Sequence, residues 1–388
     1  MASHLRPTVH VEEIPHANQP VADAPTSVAA IAGPGGAATV IGPVRVRSWA
    51  DYEMALGGIR SETDALGLAA YNFFRNGGED AWIIPVAGGC RGAIVDMHAY
   101  RELFTRLEGL PDVRILLLPG QHARTGGNPV LDAAVTHCEA MGDRMVVIDA
   151  PPDVALANAD TVAGLGLPAS AHAALYYPWV DMAHPLRNGG ADTPGTLTVA
   201  PAPFAAGVWA RTDRSRGVWK APAGVQARLH GASGLQHAVT DAAQGWLNPA
   251  GVNCLRTFPE RGMVIWGART LAPATHAERR YIPVQRTLAH VDRSLREGTQ
   301  WVAFEPNDQP LWTTLRSSIT TYLHGLFRAG ALQGQKASDA YFVRCGLGDT
   351  MTSEDVARGE VVAMVGLALL KPAEFLIIRM RQRTGGAA

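Results

Sequence analysis

The run Lys371-Pro372-Ala373-Glu374-Phe375-Leu376-Ile377-Ile378-Arg379-Met380-Arg381 carries a proline at its start that ends whatever precedes it, continues through strand-forming residues and closes on basic ones. The start of the chain mirrors it. Pro7-Thr8-Val9-His10-Val11-Glu12-Glu13-Ile14-Pro15 sets a short strand between two prolines, and a spacer rich in Ala, Pro and Asn follows. A lone strand on a tether at each end has two fates. It folds back, or it completes the sheet of a neighbour, because an open edge accepts any strand that satisfies its hydrogen bonds. Lending is the expectation for both ends. The candidate inter-subunit strand residues are Val9, His10, Val11, Glu12 and Ile14 at one end. At the other they are Glu374, Phe375, Leu376, Ile377, Ile378 and Arg379.

The 388-residue chain has material for one large domain or two to three ordinary ones. It is 47% apolar and 18% charged, enough for true cores under a sparsely charged surface. A net charge of −1 argues against a nucleic-acid partner held by bulk electrostatics, and it leaves little repulsion between copies. Cys90, Cys138, Cys254 and Cys345 form no CxxC pair, so they read as buried free thiols in a reducing compartment rather than a zinc or disulfide framework. Met1-Ala2-Ser3-His4-Leu5-Arg6 has no apolar segment of the signal-peptide kind. The longest apolar run, 361–370, is half the roughly 20 residues of a membrane span. Synthesis in the cytosol without membrane insertion is the expectation.

Apolar strands alternate with helices from residue 26 to about 275. Strands are expected at 26–33, 80–86, 113–118, 144–149, 173–177 and 262–266, and a short extended piece at 39–46. Helices are expected from Ser48 as N-cap, at 66–75, near 100–107, at 129–141, and as a short segment at 235–244. Such alternation gives a mostly parallel sheet covered on both faces. From Arg279 the pattern changes to long helices at 284–297 and 311–329, strands at 301–304, 340–345 and 360–370, and a short helix capped by Ser353. The expected fold class is therefore α/β: a middle α/β domain (26–275) and a C-terminal α+β domain (276–372). An N-terminal strand arm with its linker (1–25) and a C-terminal strand arm (373–388) flank them.

Several constellations bear on chemistry. Gly33-Pro34-Gly35-Gly36 follows a strand but lacks GxGxxG spacing and a following Gly-Lys-Ser/Thr, and reads as a tight turn. Asp149 ends an apolar strand where open α/β sheets often bind ligands; the plainer reading is a strand-end cap. The thirteen histidines, among them His122, His137, His172, His184, His230 and His237, show no HxH or HExxH spacing, and no GxSxG elbow is present. Glu305 and Asp308 read as turn formers in a Pro/Asn turn. No catalytic, cofactor-binding or metal-ligating residue is assigned, and the chain is expected not to be an enzyme. The alternatives are an α/β hydrolase-like enzyme and a small-ligand-binding module at Asp149.

The residues then resemble a known family, the tail sheath proteins of contractile bacteriophages and related contractile injection systems. Pro7 to Pro15 looks like the family's opening signature. Phe73-Phe74-Arg75-Asn76-Gly77-Gly78, Tyr176-Tyr177-Pro178-Trp179 and Gly207-Val208-Trp209-Ala210-Arg211-Thr212-Asp213 follow in the family's order. So do Leu247-Asn248-Pro249 with Val252-Asn253, Trp266-Gly267-Ala268-Arg269, Phe304-Glu305-Pro306-Asn307-Asp308 and Lys371-Pro372-Ala373-Glu374-Phe375. Ala200-Pro201-Ala202-Pro203-Phe204 departs from the family pattern, and the chain is short for the family.

The resemblance implies a subtilisin-like middle domain and stacked six-membered rings around an inner tail tube. It implies terminal strands inserted into the C-terminal sheets of adjacent subunits, and contraction without a nucleotide. The implied partners are further copies of the chain, the tube protein, and baseplate and tail terminator proteins, in a virion tail or extracellular contractile particle. The helix with Ser353, Glu354, Asp355 and Arg358 is the candidate tube-facing piece.

Overall fold

The computed structural model describes residues 20–35, 42–86, 97–156, 158–186, 195–370 and, as a backbone strand, 375–383. The chain divides into two compact units. One comprises Asp23–Arg293 with Leu370–Glu374; the other comprises Met1–Ala22, Ser294–Leu369 and Phe375–Ala388.

In the larger unit the first strands are β1 (Ala29–Gly33), β2 (Val44–Val46), β3 (Ala81–Pro85), β4 (Ile115–His122), β5 (Met145–Asp149) and β6 (Ala173–Tyr177). After them come β7 (Val180–Ala183), β8 (Thr196–Val199), β9 (Ala232–Leu235), β10 (Val252–Phe258) and β11 (Gly262–Ile265). Its helices are α1 (Trp49–Leu56), α2 (Ala65–Arg75), α3 (Met97–Glu108), α4 (Pro129–Met141), α5 (Ala159–Ala163), α6 (Ala202–Arg216) and α7 (Asp241–Leu247). Helix α8 (Ile282–Gly298) contains the division between the units.

Eight strands join in the order β11-β10-β6-β5-β4-β1-β3-β2. The inner pairings are parallel, and the edge pairs β10–β11 and β2–β3 are antiparallel. The central strands β1, β5 and β6 are buried along their whole length, which is why they read as unbroken apolar runs. Alternation sends Ile31, Ile83, Leu117, Val147 and Tyr176 to one face, against α1, α2 and α6. Ala30, Ile84, Leu116, Val146 and Leu175 go to the other, against α3, α4, α5 and α7. A second sheet, β8-β7-β9, is antiparallel, and its Val180, Met182 and Val199 join the first of these cores.

Local signals set the helix ends. Ser48 accepts from the Asp51 backbone N–H at 3.1 Å while Asp51 accepts from Arg47, and Asn128 accepts from the Val130 N–H before Pro129 starts α4. The Gly33-Pro34-Gly35 stretch is a turn in which the Pro34 carbonyl accepts from Leu66 N–H at 3.3 Å. Gly207 is a packing requirement: a Cβ there would stand 2.5 Å from the Phe73 carbonyl oxygen and 2.6 Å from Asn76 Cβ, so its absence lets α6 lie directly on α2.

In the smaller unit α9 (Gln309–Arg328), α10 (Ala337–Ala340), β12 (Tyr341–Cys345), α11 (Ser353–Ala357), β13 (Glu360–Ala368) and β14 (Phe375–Arg383) follow. Asp308 caps α9 by accepting from Leu311 N–H at 3.1 Å. Leu311, Leu315, Ile319, Leu323 and Leu326 form its buried stripe, at helical spacing. The sheet order is β12-β13-β14, antiparallel throughout.

Four local expectations are corrected. Residues 301–304 are not a strand. Gln300–Phe304 is a 3₁₀ turn, with Val302 N–H bonded to the Thr299 carbonyl and Glu305 N–H to the Val302 carbonyl. Four apolar residues carry no period long enough to separate the two states. The helical segment expected at 235–244 is β9 followed by α7, whose cap is Thr240. The cap of α11 is Thr352 rather than Ser353; Asp355 answers it in a reciprocal capping box. Helix α6 and strand β10 were not expected at all. Residues 202–210 of α6 are buried without a break, so no polar stripe marks a helix.

Candidate functional site

The residues singled out by the sequence sort into two groups: buried polar residues that hold elements together, and the strands and turn of the C-terminal sheet.

Asn76 ends α2 and is fully buried. Its side-chain amide donates to the Asn72 carbonyl at 2.9 Å and the His230 carbonyl at 3.1 Å, and its Oδ1 accepts from His230 N–H at 2.8 Å. The Asn76 carbonyl accepts from Arg211 at 2.9 Å. Gly77 (φ 111°) must be glycine on two grounds, the left-handed backbone and Arg211 Cβ 2.7 Å from where its own Cβ would stand. Asn253 does the same work in β10. It donates to the Leu175 and Arg269 carbonyls at 3.1 and 2.8 Å and accepts from Arg269 N–H at 2.6 Å. Such full satisfaction is what makes a buried amide tolerable.

Trp209 is wholly buried, donates to the Tyr176 hydroxyl at 2.7 Å, and carries the Arg286 guanidinium over its ring at 4.7 Å. Arg286 also donates to Asp213 through both terminal nitrogens, at 2.9 and 2.5 Å, and to the Thr26 carbonyl at 2.9 Å. The pair is almost fully buried, and its forked geometry is the one in which a buried ion pair is tolerated.

Asp149 is buried, and burial raises its pKa to about 7 against the opposing hydrogen bond from Ala202 N–H at 2.6 Å. That bond fixes the start of α6, so the carboxylate acts as the strand-end cap of the plainer reading. Cys138, Cys254 and Cys345 are buried and free; desolvation pushes their thiols up to about 12, 12 and 11, which makes them poor nucleophiles. Cys90 lies outside the described residues. Among the described residues no group of three His, Cys, Asp or Glu is placed to hold a metal ion, and no helix is long and apolar enough to cross a membrane.

His137 is buried, stacked on Phe104, with Arg144 Nη1 at 3.3 Å. Desolvation first, and then the Arg144 charge, lower its pKa to about 4. The unfolded chain, with a histidine near 6.5, takes up the proton first. This residue's contribution is therefore complete above pH 6.5 and is lost as pH falls toward 4, at on the order of 1.4 kcal/mol per pH unit. Asp149 has the opposite slope: its contribution is complete below the unfolded carboxyl value and is lost as pH rises through about 7. We expect His137→Gln, which keeps an acceptor for Arg144, to lower the stability lost between pH 7 and pH 5 by about 2 kcal/mol in urea melts. An unchanged pH slope contradicts this.

In the C-terminal sheet, Phe375 pairs with Ala368, Leu376 with Leu367, Ile377 with Gly366, Ile378 with Val365 and Arg379 with Met364. In the single chain β14 therefore sits beside its own β13, reached through residues 369–374. The strand is where the sequence puts it; the partner in the isolated chain is its own sheet. The second edge of β14 has no strand beside it among the described residues. Val9, His10, Val11, Glu12 and Ile14, like Glu374, lie outside the described residues.

Helix α11 packs on β13. Its Asp355 is engaged by the cap and by Arg358, Arg358 also reaches Glu360 at 3.6 Å, and Ser353 and Glu354 are exposed. The turn after the 3₁₀ segment is held by Asn307, which donates to the Glu360 carbonyl at 3.1 Å and accepts from Trp312 Nε1 at 2.7 Å. Sequence reasoning missed the pinning roles of Asn76, Asn253 and Arg286, and it missed the exposure of Phe304.

The architecture is a mixed α/β unit with a large, mostly parallel sheet, and a C-terminal α+β unit with a small antiparallel sheet. The family model for the phage tail sheath protein central domain matches residues 101–271, and that for the phage tail sheath C-terminal domain matches residues 276–383. The chain is 30% identical to the sheath of the extracellular contractile injection system PVC in its contracted state, covering 98% of both chains with a TM-score of 0.76. To the contracted helical sheath of the anti-feeding prophage AFP it is also 30% identical, over 98% of this chain and 99% of that one, with a TM-score of 0.74. A sheath tail protein of Desulfitobacterium hafniense shares the fold at 11% identity and a TM-score of 0.67. No curated protein sequence matched. The chain belongs to the phage tail sheath protein family.

Proposed function

We propose that this chain is the repeating subunit of a contractile sheath. It stacks as six-membered rings around a tail tube, and its contraction drives that tube through a target envelope. The observation that carries the reading is the end-to-end likeness to the PVC sheath, which was captured contracted. Likeness to AFP baseplate structures supports a place in a tail with baseplate, tube and terminator partners, in a virion or an extracellular particle assembled in a bacterial cytoplasm.

The chain works in four parts: an arm (1–25), a subtilisin-like middle domain (26–275), a C-terminal domain (276–372) and a second arm (373–388). In the assembly, β14 leaves its own β13 and takes the same register on the β13 of a neighbour. The exchange conserves every ladder hydrogen bond, so it costs little beyond opening the residue 369–374 connection, and it ties neighbouring subunits together through the backbone hydrogen bonds of the lent strand. The N-terminal strand enters the next sheet in the same way. A mesh joined by exchanged strands lets middle domains rotate and repack while the lattice stays connected, so contraction is a change between two packings. The polar helix α11, with Ser353, Glu354 and Arg358, faces the tube through contacts weak enough to break in a wave.

Negative-stain microscopy of the purified full chain, alone and with its tube protein, tests this. Long striated tubes are expected; a uniformly monomeric preparation at high concentration contradicts it.

A further inference from the structure

Arginines crowd one turn of the larger unit, residues 228–231 between α6 and β9. From α6, Arg211 Nη2 donates to the Arg228 carbonyl at 2.6 Å, and Arg211 Nη1 stands 3.3 Å from His230 Nδ1. From the end of α2, Arg75 lays its guanidinium on Gly231, where a Cβ would stand 2.5 Å from Arg75 Nε. Arg228 is bridged to Val264 of β11, and its Nε donates to the Arg261 carbonyl at 2.7 Å. The turn itself is fixed, because Asn76 Oδ1 accepts from His230 N–H at 2.8 Å.

These cations lack acidic partners. Among the described residues Arg75, Arg211, Arg228 and Arg261 form no ion pair, whereas the neighbouring Arg214 takes Glu79. Asp213 of α6 is committed to Arg286. A chain of net charge −1 has carboxylates enough, so their absence from this turn is a property of the surface and not of the composition. His230 registers the result. Burial first, and then the charges of Arg211, Arg75 and Arg228, hold its pKa below the ordinary value against one opposing hydrogen bond to the Arg75 backbone.

Donors also remain open. Arg75 donates to the Tyr71 hydroxyl at 3.3 Å and is held over the Tyr71 ring at 5.6 Å; Arg228 engages through Nε alone. Both residues are exposed, so the rest of each guanidinium fork is accessible. Such forks match the oxygens of phosphate and carboxylate, and arginine clusters are a recurring way of recognising phosphorylated ligands. Charge density decides between the two. A carboxylate brings one negative charge, whereas adjacent phosphoryl groups bring several into the small space around a four-residue turn.

We propose that Arg75 and Arg228, with Arg211 and Arg261 adding positive potential, form a binding site for a phosphoryl oxyanion carrying several charges. The site belongs wholly to the larger unit and does not depend on strand lending.

Isothermal titration of the full chain with inorganic triphosphate, at matched ionic strength, tests this. Saturable binding is expected, and Arg75→Gln/Arg228→Gln should weaken it at least tenfold, the scale of one lost charge-assisted pair. Arg45→Gln, which removes an arginine already paired with Asp80 and Asp112, should leave it unchanged. Heats no different from those of sodium chloride, or equal affinity in the full chain and the double variant, overturn the proposal. Should the double variant fail its thermal melt, Arg75→Gln alone decides, because among the described residues that guanidinium donates only to Tyr71. A severalfold loss supports the site, and an unchanged affinity overturns it. Flotation with phosphatidylglycerol vesicles, against phosphatidylcholine vesicles, separates two sources of the phosphate. Capture that triphosphate reverses places it on a lipid headgroup; triphosphate binding without capture places it on a free polyphosphate. A hexaglutamate peptide that binds more tightly than triphosphate assigns the surface to an acidic segment and overturns the phosphoryl assignment.

Discussion

Removing residues 1–19 should abolish tube formation and leave a folded, soluble protein. The described cores begin after this segment: Val28, Ala29 and Ile31 open the large sheet, and Val21 is the first residue seen packed, against Gly298. The truncated chain keeps the eight-stranded sheet, the buried stripe of α9 and the β12–β13–β14 ladder, so its thermal midpoint should lie within a few degrees of the full chain. Polymerisation is a different matter. If the arm is lent as proposed, each junction that receives it would lose a full strand of backbone hydrogen bonds, together with the apolar contacts expected of Val9, Val11 and Ile14. Removing such a joint from every subunit acts multiplicatively along the assembly. Circular dichroism with sedimentation separates the two effects. Normal tubes from the truncated chain contradict the reading.

Arg286→Ala should destabilise the larger unit by about 3–5 kcal/mol, the cost of breaking a buried ion pair by removing one partner. The Asp213 carboxylate is left inside with its fork of donors gone, the Thr26 carbonyl loses a donor, and the Trp209 ring loses the cation over its face. For a unit of this size the midpoint should fall by on the order of 10 °C. Replacing both partners, Arg286→Met with Asp213→Leu, should recover much of the loss, because no buried charge remains. A double-mutant cycle measures the coupling; additivity within 0.5 kcal/mol, roughly the noise of independent sites, contradicts it.

The parallel sheet was legible because its strands are buried on both faces. Met145-Val146-Val147-Ile148 and Ile115-Leu116-Leu117-Leu118 need no partner to be read as strands. Helix α4 was legible to the residue, since Asn128, Pro129 and Gly142 mark its ends. Helix α6 was hidden by the same burial that reveals a strand: nine consecutive inaccessible residues erase the polar stripe. The pins were hidden for another reason. Arg286 and Asp213 are 73 positions apart, and Asn76 and His230 are 154 apart, so their pairing exists only once the chain has folded. Phe304 misled because an apolar residue after Trp301-Val302-Ala303 looks like a continuing strand; only the folded turn shows that it points into water. The C-terminal strand was plain from composition, and its resting place beside β13 was not, since a sheet edge does not distinguish a strand of its own chain from that of another.

Strand exchange is tested most directly by a cysteine pair across the β13–β14 ladder. Met364 and Arg379 are register partners, and facing residues of antiparallel strands lie within disulfide reach. Met364→Cys/Arg379→Cys, oxidised within assembled tubes and run on a denaturing gel without reductant, should give a ladder of covalently linked chains. Each single variant serves as the control for the native thiols. Assembled tubes that dissolve entirely into internally bridged single chains contradict the exchange.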